Sequence, residues 1–350
     1  MKKLIAIVLC VTMLLALCAC GGTGARNEDK NETRLYTDSA GRQVEIPTNI
    51  TKVAVTGPLA QIFCYAVCPE LMVGIPTAWT DTAKKYVLPE YAALPVLGQL
   101  YGGKGDINPE SLLASGADIV IDVGQTKDKV HDDLDALTEQ TGIPFVHVVF
   151  SSDDMGTTFR LLGELLGREE QTKKMADYCD AVYASTMELV DSVEKKSVLY
   201  VLCDGQNVIA RGSYFAYVLD LMSENPAVVD TIASNGDGNL VDMEQIYQWD
   251  PDVLLFGPDS VYDRIADDPL WQNMTAVKNG RFYEVPNGPY NWMGFPPAIQ
   301  NVLGMLWFGK LLYPEQCDYD LYEEVKEFFS LFYHWDLTRE QFDELMKNSL

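Results

Sequence analysis

The sequence predicts an α/β protein of two lobes, each built on a mainly parallel sheet, joined by one long spanning helix. Three observations carry that prediction. Short apolar, β-type runs alternate with helical stretches over residues 51–150, and the alternation restarts after residue 197. Between the two blocks lies a long stretch with helical apolar spacing. A phrase then occurs once in each block, as "INPESLLASGADIVI" (107–121) and "VDMEQIYQWDPDVLLF" (241–256). Glu110 matches Glu244 and Asp118 matches Asp252 at one offset, 134 residues (244 − 110 and 252 − 118). Strand, helix, strand is the pattern of a parallel sheet covered on both faces.

The elements follow in chain order. "RLYTDSAGRQVEIP" (34–47) alternates around a turn and reads as a β-hairpin. "TKVAVTG" (51–57) is a buried-type strand stopped by Gly57-Pro58, and "LAQIFCYAVCP" is the helix after it. "LMVGIP", "ADIVIDVG" and "PFVHVVF" are the next three strands, the last preceded by a helix over 128–141. In "REEQTKKMADYCDAVYASTMELVDSVEKK", Met175, Tyr178, Val182, Met187, Val190 and Val193 share one helical face. That helix would span nearly 30 residues, about 40 Å at 1.5 Å per residue, too long for a crossover inside a small lobe. "SVLYVLCD", "DVLLF" and "RFYEVP" are strands of the second lobe. The tail from Pro296 is helical, and its Leu, Trp and Phe stripes read as core.

The N-terminus stands apart. Lys2 and Lys3 precede an apolar run, Leu4 to Ala19, that is short for a spanning helix of about 20 residues. It ends in "LCAC" before Gly21-Gly22, which resembles a bacterial lipobox. Cys20 is the residue that fits lipidation, because Leu17 is too large to precede the cleavage site at Cys18. The expected organisation is a signal peptide at 1–19, a flexible tether at 20–33, a lobe at 34–154, a linking helical segment at 155–196, and a lobe with a helical tail at 197–350. The chain's net charge of −25 disfavours nucleic acid, which demands a basic face. After Cys20 an odd number of cysteines remains, which argues against a disulfide scaffold; Cys64 and Cys68 read as small buried hydrophobes.

Several stretches together resemble one family. The lipobox, "DSAGRQVEIP", the two copied phrases, "LLGELLGREEQ" opening the long helix, "AVKNGRFYEVP" and "LGMLWFGKLLYPE" are similar to the solute-binding lipoproteins of ABC importers for iron-siderophores, haem and cobalamin. The likeness runs from about Arg34 to beyond Pro314. It implies a class III solute-binding protein, with two α/β lobes, one long helix and a ligand held in the cleft between the lobes. It also implies an extracytoplasmic protein, lipid-anchored to the bacterial cell membrane through Cys20, that takes up a ferric siderophore, haem or corrinoid and delivers it to a permease dimer. No catalysis and no cofactor of its own follow from the family. The likeness places Glu110 and Glu244 where family members carry the pair of glutamates, one per lobe, that meet arginines on the permease. Read without the family, each Glu is a helix-opening residue behind an N-cap, Asn108 or Asp242, favoured by the helix dipole.

In open α/β sheets, ligands sit outside the carboxyl ends of the strands. The candidate ligand contacts in the first lobe are therefore Thr56, Gly57 and Pro58, Gln125, and Tyr101 in "GQLYGGKGD", with Lys104 beside it. In the second lobe they are Arg211, Gly212 and Tyr214 in "IARGSYF", Gly257, and Tyr290, Trp292 and Met293 in "YNWMG". Aromatic loops suit a bulky chelate with planar and apolar faces. Only Arg211 and Lys104 are evident basic groups, a poor match to a strongly anionic ligand. Met293 is a formal candidate for an axial haem ligand, although a loop Met is more often packing. His131, His147 and His334 fall in helix or strand contexts, which weakens a His-based metal site. The rival readings are a binder of a free metal ion or another small solute in the same fold, and an extracellular lipoprotein enzyme. The first needs converging His or carboxylates; for the second there is no GxSxG, GxxxxGK or HExxH.

Overall fold

The computed structural model describes residues 32–100, 105 and 107–350. The leader, Cys20, the tether up to residue 31, Tyr101 and Lys104 lie outside the described residues. The chain opens with the predicted hairpin, β1 (Thr33–Thr37) paired antiparallel with β2 (Gln43–Pro47). Its turn is held by Asp38, whose carboxylate accepts the backbone N–H groups of Ala40 and Arg42 and the Arg42 guanidinium. Arg42, itself buried, also donates to the Phe145 carbonyl at 2.6 Å. A buried pair with several hydrogen bonds on each partner is the arrangement in which burial of charge is tolerated. Here it clips the hairpin to the first lobe.

That lobe contains β3 (Val53–Val55), α1 (Pro58–Val67), α2 (Pro89–Ala92), α3 (Pro109–Ser115), β4 (Ile119–Gly124), α4 (Val130–Thr141) and β5 (Phe145–Val149). The sheet is parallel in the order β3-β4-β5, with Val53 opposite Ile119 and Val120 opposite Phe145. "LMVGIP", read as a strand, forms only two parallel bridges, Met72 with Val53 and Ile75 with Val96. Gly74 divides them, at a point where an added Cβ would lie 2.5 Å from the Leu97 side chain. The segment therefore extends the sheet without forming a full ladder.

The predicted long helix is present as α6 (Glu169–Ser192), 24 residues rather than nearly 30, and a second helix, α5 (Met155–Leu166), precedes it in the linking segment. "LLGELLG" closes α5, with Gly167 in the left-handed conformation as its C-cap (φ 66°), and "REEQ" opens α6. Gly163 lies against Thr172, and Gly156 against Asp180, so α5 folds back along α6. Glycine was readable as a helix stop at Gly167; the return packing was not. α6, about 36 Å long at 1.5 Å per residue, still joins the lobes. At its start Arg168 and Gln171 donate to the Val67 carbonyl, and beyond its end the Lys196 N–H donates to the Tyr313 hydroxyl.

The second lobe holds β6 (Val198–Leu202), β7 (Asn207–Val208), α7 (Tyr217–Met222), β8 (Asn239–Leu240), α8 (Met243–Trp249), β9 (Val253–Phe256), α9 (Thr275–Lys278) and β10 (Phe282–Glu284). Its sheet runs β10-β9-β6-β7-β8; the first three strands are parallel and the last two antiparallel. Every residue of β6 and β9 is buried, each large apolar side chain contributing about 1.5–3 kcal/mol. Three helices follow: α10 (Gln300–Leu312), buried on nearly all sides, α11 (Leu321–Tyr333) and α12 (Arg339–Leu345). This tail touches both lobes. The Tyr65 hydroxyl on α1 donates to the Tyr333 carbonyl, while Trp307 Nε1 donates to the carbonyl of Ser349, whose hydroxyl donates to the Glu284 carbonyl at the end of β10.

Candidate functional site: the cleft between the lobes

The carboxyl ends of β3 and β4 face the second lobe across a cleft of about 690 Å³, within the size range of small-molecule sites. The first lobe contributes Thr56 to Leu59, Asp122 to Gln125, and Lys127. The second contributes Gly212, Tyr214, Phe215, residues 232–234, Pro296 and Pro297. Thr56 is placed by the β3–β4 ladder, its N–H donating to the Ile121 carbonyl, and Gly57-Pro58 then start α1. Opposite, Phe215 stacks on Phe295, ring centroids 4.9 Å apart and planes 15° off parallel, so the aromatic wall is braced from behind. Ser152, at the exit of β5, accepts from the Asn301 amide of α10 at 3.2 Å, one polar tie between the halves.

Thr56, Pro58, Gln125 and Tyr214 thus meet in one cleft, as the loop argument expects, with Gly57 and Gly212. Other expected contacts lie elsewhere. Arg211 is turned away from the cleft: its guanidinium donates to the Asn225 carbonyl and lies 3.6 Å from Glu224. Trp292 and Met293 are in the core, 0% and 2% exposed. Trp292 Nε1 donates to the Gly288 carbonyl, and the Met293 N–H to Asn291, whose amide reaches the Tyr200 hydroxyl. The loop folds inward because Gly304 of α10 admits its backbone; a Cβ there would lie 2.3 Å from the Trp292 carbonyl oxygen. Tyr290 packs on Trp79, centroids 6.3 Å apart, and burial pushes its phenol well above the ordinary range.

Sequence reasoning missed Leu59, Asp122, Lys127, Phe215, Ile232 and the Pro296-Pro297 pair. One signal was present: "IVIDVG" and "PFVHVVF" each carry one titratable residue in an otherwise apolar strand. Asp122 and His147 are register partners across β4 and β5, and His147 Nδ1 lies 2.7 Å from Asp122 Oδ2. The Thr56 hydroxyl donates to the other carboxylate oxygen, and Thr126 Oγ1 is 3.1 Å from His147 Nε2. His147 is fully buried and Asp122, which lines the cleft, 3% exposed, so a polar chain runs from the cleft floor into the lobe.

The copied phrases form the same unit twice. Asn108 and Asp242 cap α3 and α8 by accepting the N–H of Ser111 and Gln245. Leu112 and Ile246 are each helix's buried anchor, and Gly116 and Asp250 end the helices in the left-handed conformation. Asp118 accepts the Thr51 and Lys52 N–H groups, and Asp252 accepts that of Ser197, each tying the start of the neighbouring parallel strand. Glu110 and Glu244 are exposed in the first turns, one on each lobe.

Residues 66–289 match the sequence profile of a family described as periplasmic binding protein, which is more than half the chain. The chain belongs to that family. A curated relative, the Fe(3+)-citrate-binding protein YfmC of Bacillus subtilis (strain 168), is 23% identical over 214 residues, 60% of this chain and 66% of the relative. The matched region is therefore just short of two thirds of that relative's length. An ABC transporter solute binding protein from Sulfurospirillum deleyianum DSM 6946 superposes with a TM-score of 0.80 at 25% identity, covering 90% of this chain and 99% of the other. A periplasmic solute binding protein from Veillonella parvula DSM 2008 gives 0.77 at 26% identity, covering 91% and 98%. The two-lobed α/β fold with its long α6 agrees with these neighbours. Proteins of the family are extracytoplasmic solute binders, and among the described residues no helix is long and apolar enough to cross a membrane.

Proposed function

We propose that this chain is a lipid-anchored solute-binding protein that captures a metal chelate, such as a ferric siderophore, haem or a corrinoid, and delivers it to an ABC importer permease. The observation that carries this reading is the cleft. It draws on both lobes, has room for a bulky solute, and is walled by Pro58, Leu59, Val123, Phe215, Ile232, Pro296 and Pro297 with few polar groups. A site for a bare metal ion would need converging ligands; among the described residues no group of three or more His, Cys, Asp or Glu comes together to hold one. The anchor is Cys20, and the permease contacts are Glu110 and Glu244, one acidic knob per lobe for a two-fold partner. Thr56, Pro58, Gln125 and Tyr214 are the proposed ligand contacts, with Tyr101 proposed from the sequence.

No tryptophan lines the described cleft, so thermal stabilisation is a more direct readout than tryptophan quenching. A ligand at 100 times its Kd stabilises the folded state by about 2.7 kcal/mol. The purified protein is expected to melt at a higher temperature with at least one member of a panel of ferric chelates, haem and corrinoids. A shift with a bare metal ion or a sugar and with no chelate would overturn the proposal.

A further inference from the structure

The polar chain beneath the cleft narrows the chemistry of the ligand, on the reading that the cleft holds a metal chelate. We propose that the cleft takes a neutral or cationic chelate, selected by the Thr56 hydroxyl oxygen and the Asp122 carboxylate, with His147 positioning Asp122 from behind.

Thr56 and Asp122 both line the cleft. The Thr56 proton is committed to Asp122 Oδ1, so its oxygen, in a residue only 1% exposed, has only lone pairs left to offer. An ionised carboxylate also only accepts. The floor is thus built of acceptors and calls for a donor or a positive charge on the ligand. His147 lies directly across the ladder from Asp122 and is shut off from solvent, held on its other nitrogen by Thr126.

The remaining groups that could draw an anion are few or already engaged. Lys127 is the single basic residue of the described lining. The Arg211 guanidinium faces Asn225 and Glu224 outside it. The N-terminus of α1 opens at the cleft without a side-chain cap, and such a terminus favours negative charge. Asp122, bonded to Thr56 two residues before Pro58, sets a carboxylate beside that terminus in the same lining. The chain's net charge of −25 adds an unfavourable long-range field for a polyanion. An apolar-walled cleft over an acceptor floor therefore suits a chelate that is neutral or carries net positive charge, and not a polyanionic one.

The test is calorimetric titration of the purified protein with four ferric chelates: a neutral trihydroxamate, the same type bearing one free ammonium, a trianionic tris-catecholate, and ferric citrate. The neutral and ammonium-bearing chelates are expected to bind at least about tenfold tighter than the two anionic ones, the scale of one charge-assisted hydrogen bond. Asp122→Asn keeps the side-chain shape, and it is expected to weaken the ammonium-bearing chelate by about tenfold and the neutral one less. Thr56→Val removes the acceptor oxygen and is expected to weaken both; it serves if Asp122→Asn does not fold. Equal or tighter binding of an anionic chelate would overturn the inference while leaving the chelate-binding function standing. So would unchanged ranking and affinities in the folded variants. Failure of all four chelates alongside haem and corrinoids would overturn the proposed function itself, and this inference with it.

Discussion

Glu324 shows how a single carboxylate can work against the fold. It is half-buried on α11, beside the groove between α6 and α10, and Glu327 lies one turn further on. Burial first, and the Glu327 charge second, raise its pKa above the ordinary 4.5. A carboxyl with a raised folded pKa binds its proton more tightly folded than unfolded, so its ionisation destabilises the folded state. The penalty is complete above the raised folded value and gone below the unfolded one. Glu324→Gln is therefore expected to raise the melting temperature at neutral pH and to have no such effect below pH 4.5. Thermal melts across that range check it; a gain that persisted in acid would show that charge is not the cause. At the cleft, the same residue scale separates what was legible from what was not. Thr56 and Gln125 follow from the rule that loops at strand ends hold ligands. Asp122 and His147 were visible as polar interruptions of apolar strands, but their register pairing was not.

Among the elements, the two copied phrases were the most legible part of the chain. Capping residue, first-turn Glu, buried Leu112 or Ile246 and strand-tying Asp all act locally or on an adjacent strand, so sequence pattern carries them. The α5–α6 pair was less legible because helical period does not report a return. Its close approach depends on Gly163, where an added Cβ would stand 2.1 Å from Thr172 Oγ1 and 3.2 Å from the Glu169 Cα. Alanine would gain about 1 kcal/mol in helix propensity. Overpacking costs about 1–3 kcal/mol, and the Glu169 backbone has little room to yield, so Gly163→Ala is expected to be net destabilising. Chemical denaturation measures it, and in a Thr172→Ala background the cost should shrink. A stabilised Gly163→Ala variant would mean that the two helices are not held at this distance.

The whole molecule places Glu110 and Glu244 on separate lobes, exposed, in matching first turns. A helix start explains a carboxylate worth about 0.3–1 kcal/mol at each site; the docking proposed above, on a two-fold permease, would explain the pair. Glu110→Lys and Glu244→Lys are expected to leave ligand affinity within about twofold, since neither lines the cleft, and to reduce uptake in cells severely. Unchanged uptake with both reversals would leave only the helix-start role. The tail helices belong to this scale too, since Tyr333 reaches α1 of the first lobe while Ser349 is tied beside β10 of the second. Read along the chain, the tail extends the second lobe; in space it closes against both.

By itself the sequence determined the two α/β lobes, the long helix between them, the duplicated helix–strand unit and the exposed pair of glutamates. These rest on short-range period, capping chemistry and burial, which neighbouring residues set. Only the tertiary structure decided which loop aromatics reach the cleft. Tyr214 does and Trp292 does not, because Gly304 lets the loop carrying Trp292 settle onto α10. It alone joined Thr56, Asp122 and His147 into one polar chain. Those contacts join residues 56, 122 and 147, and their distances are set by strand register and helix packing, which local composition does not encode.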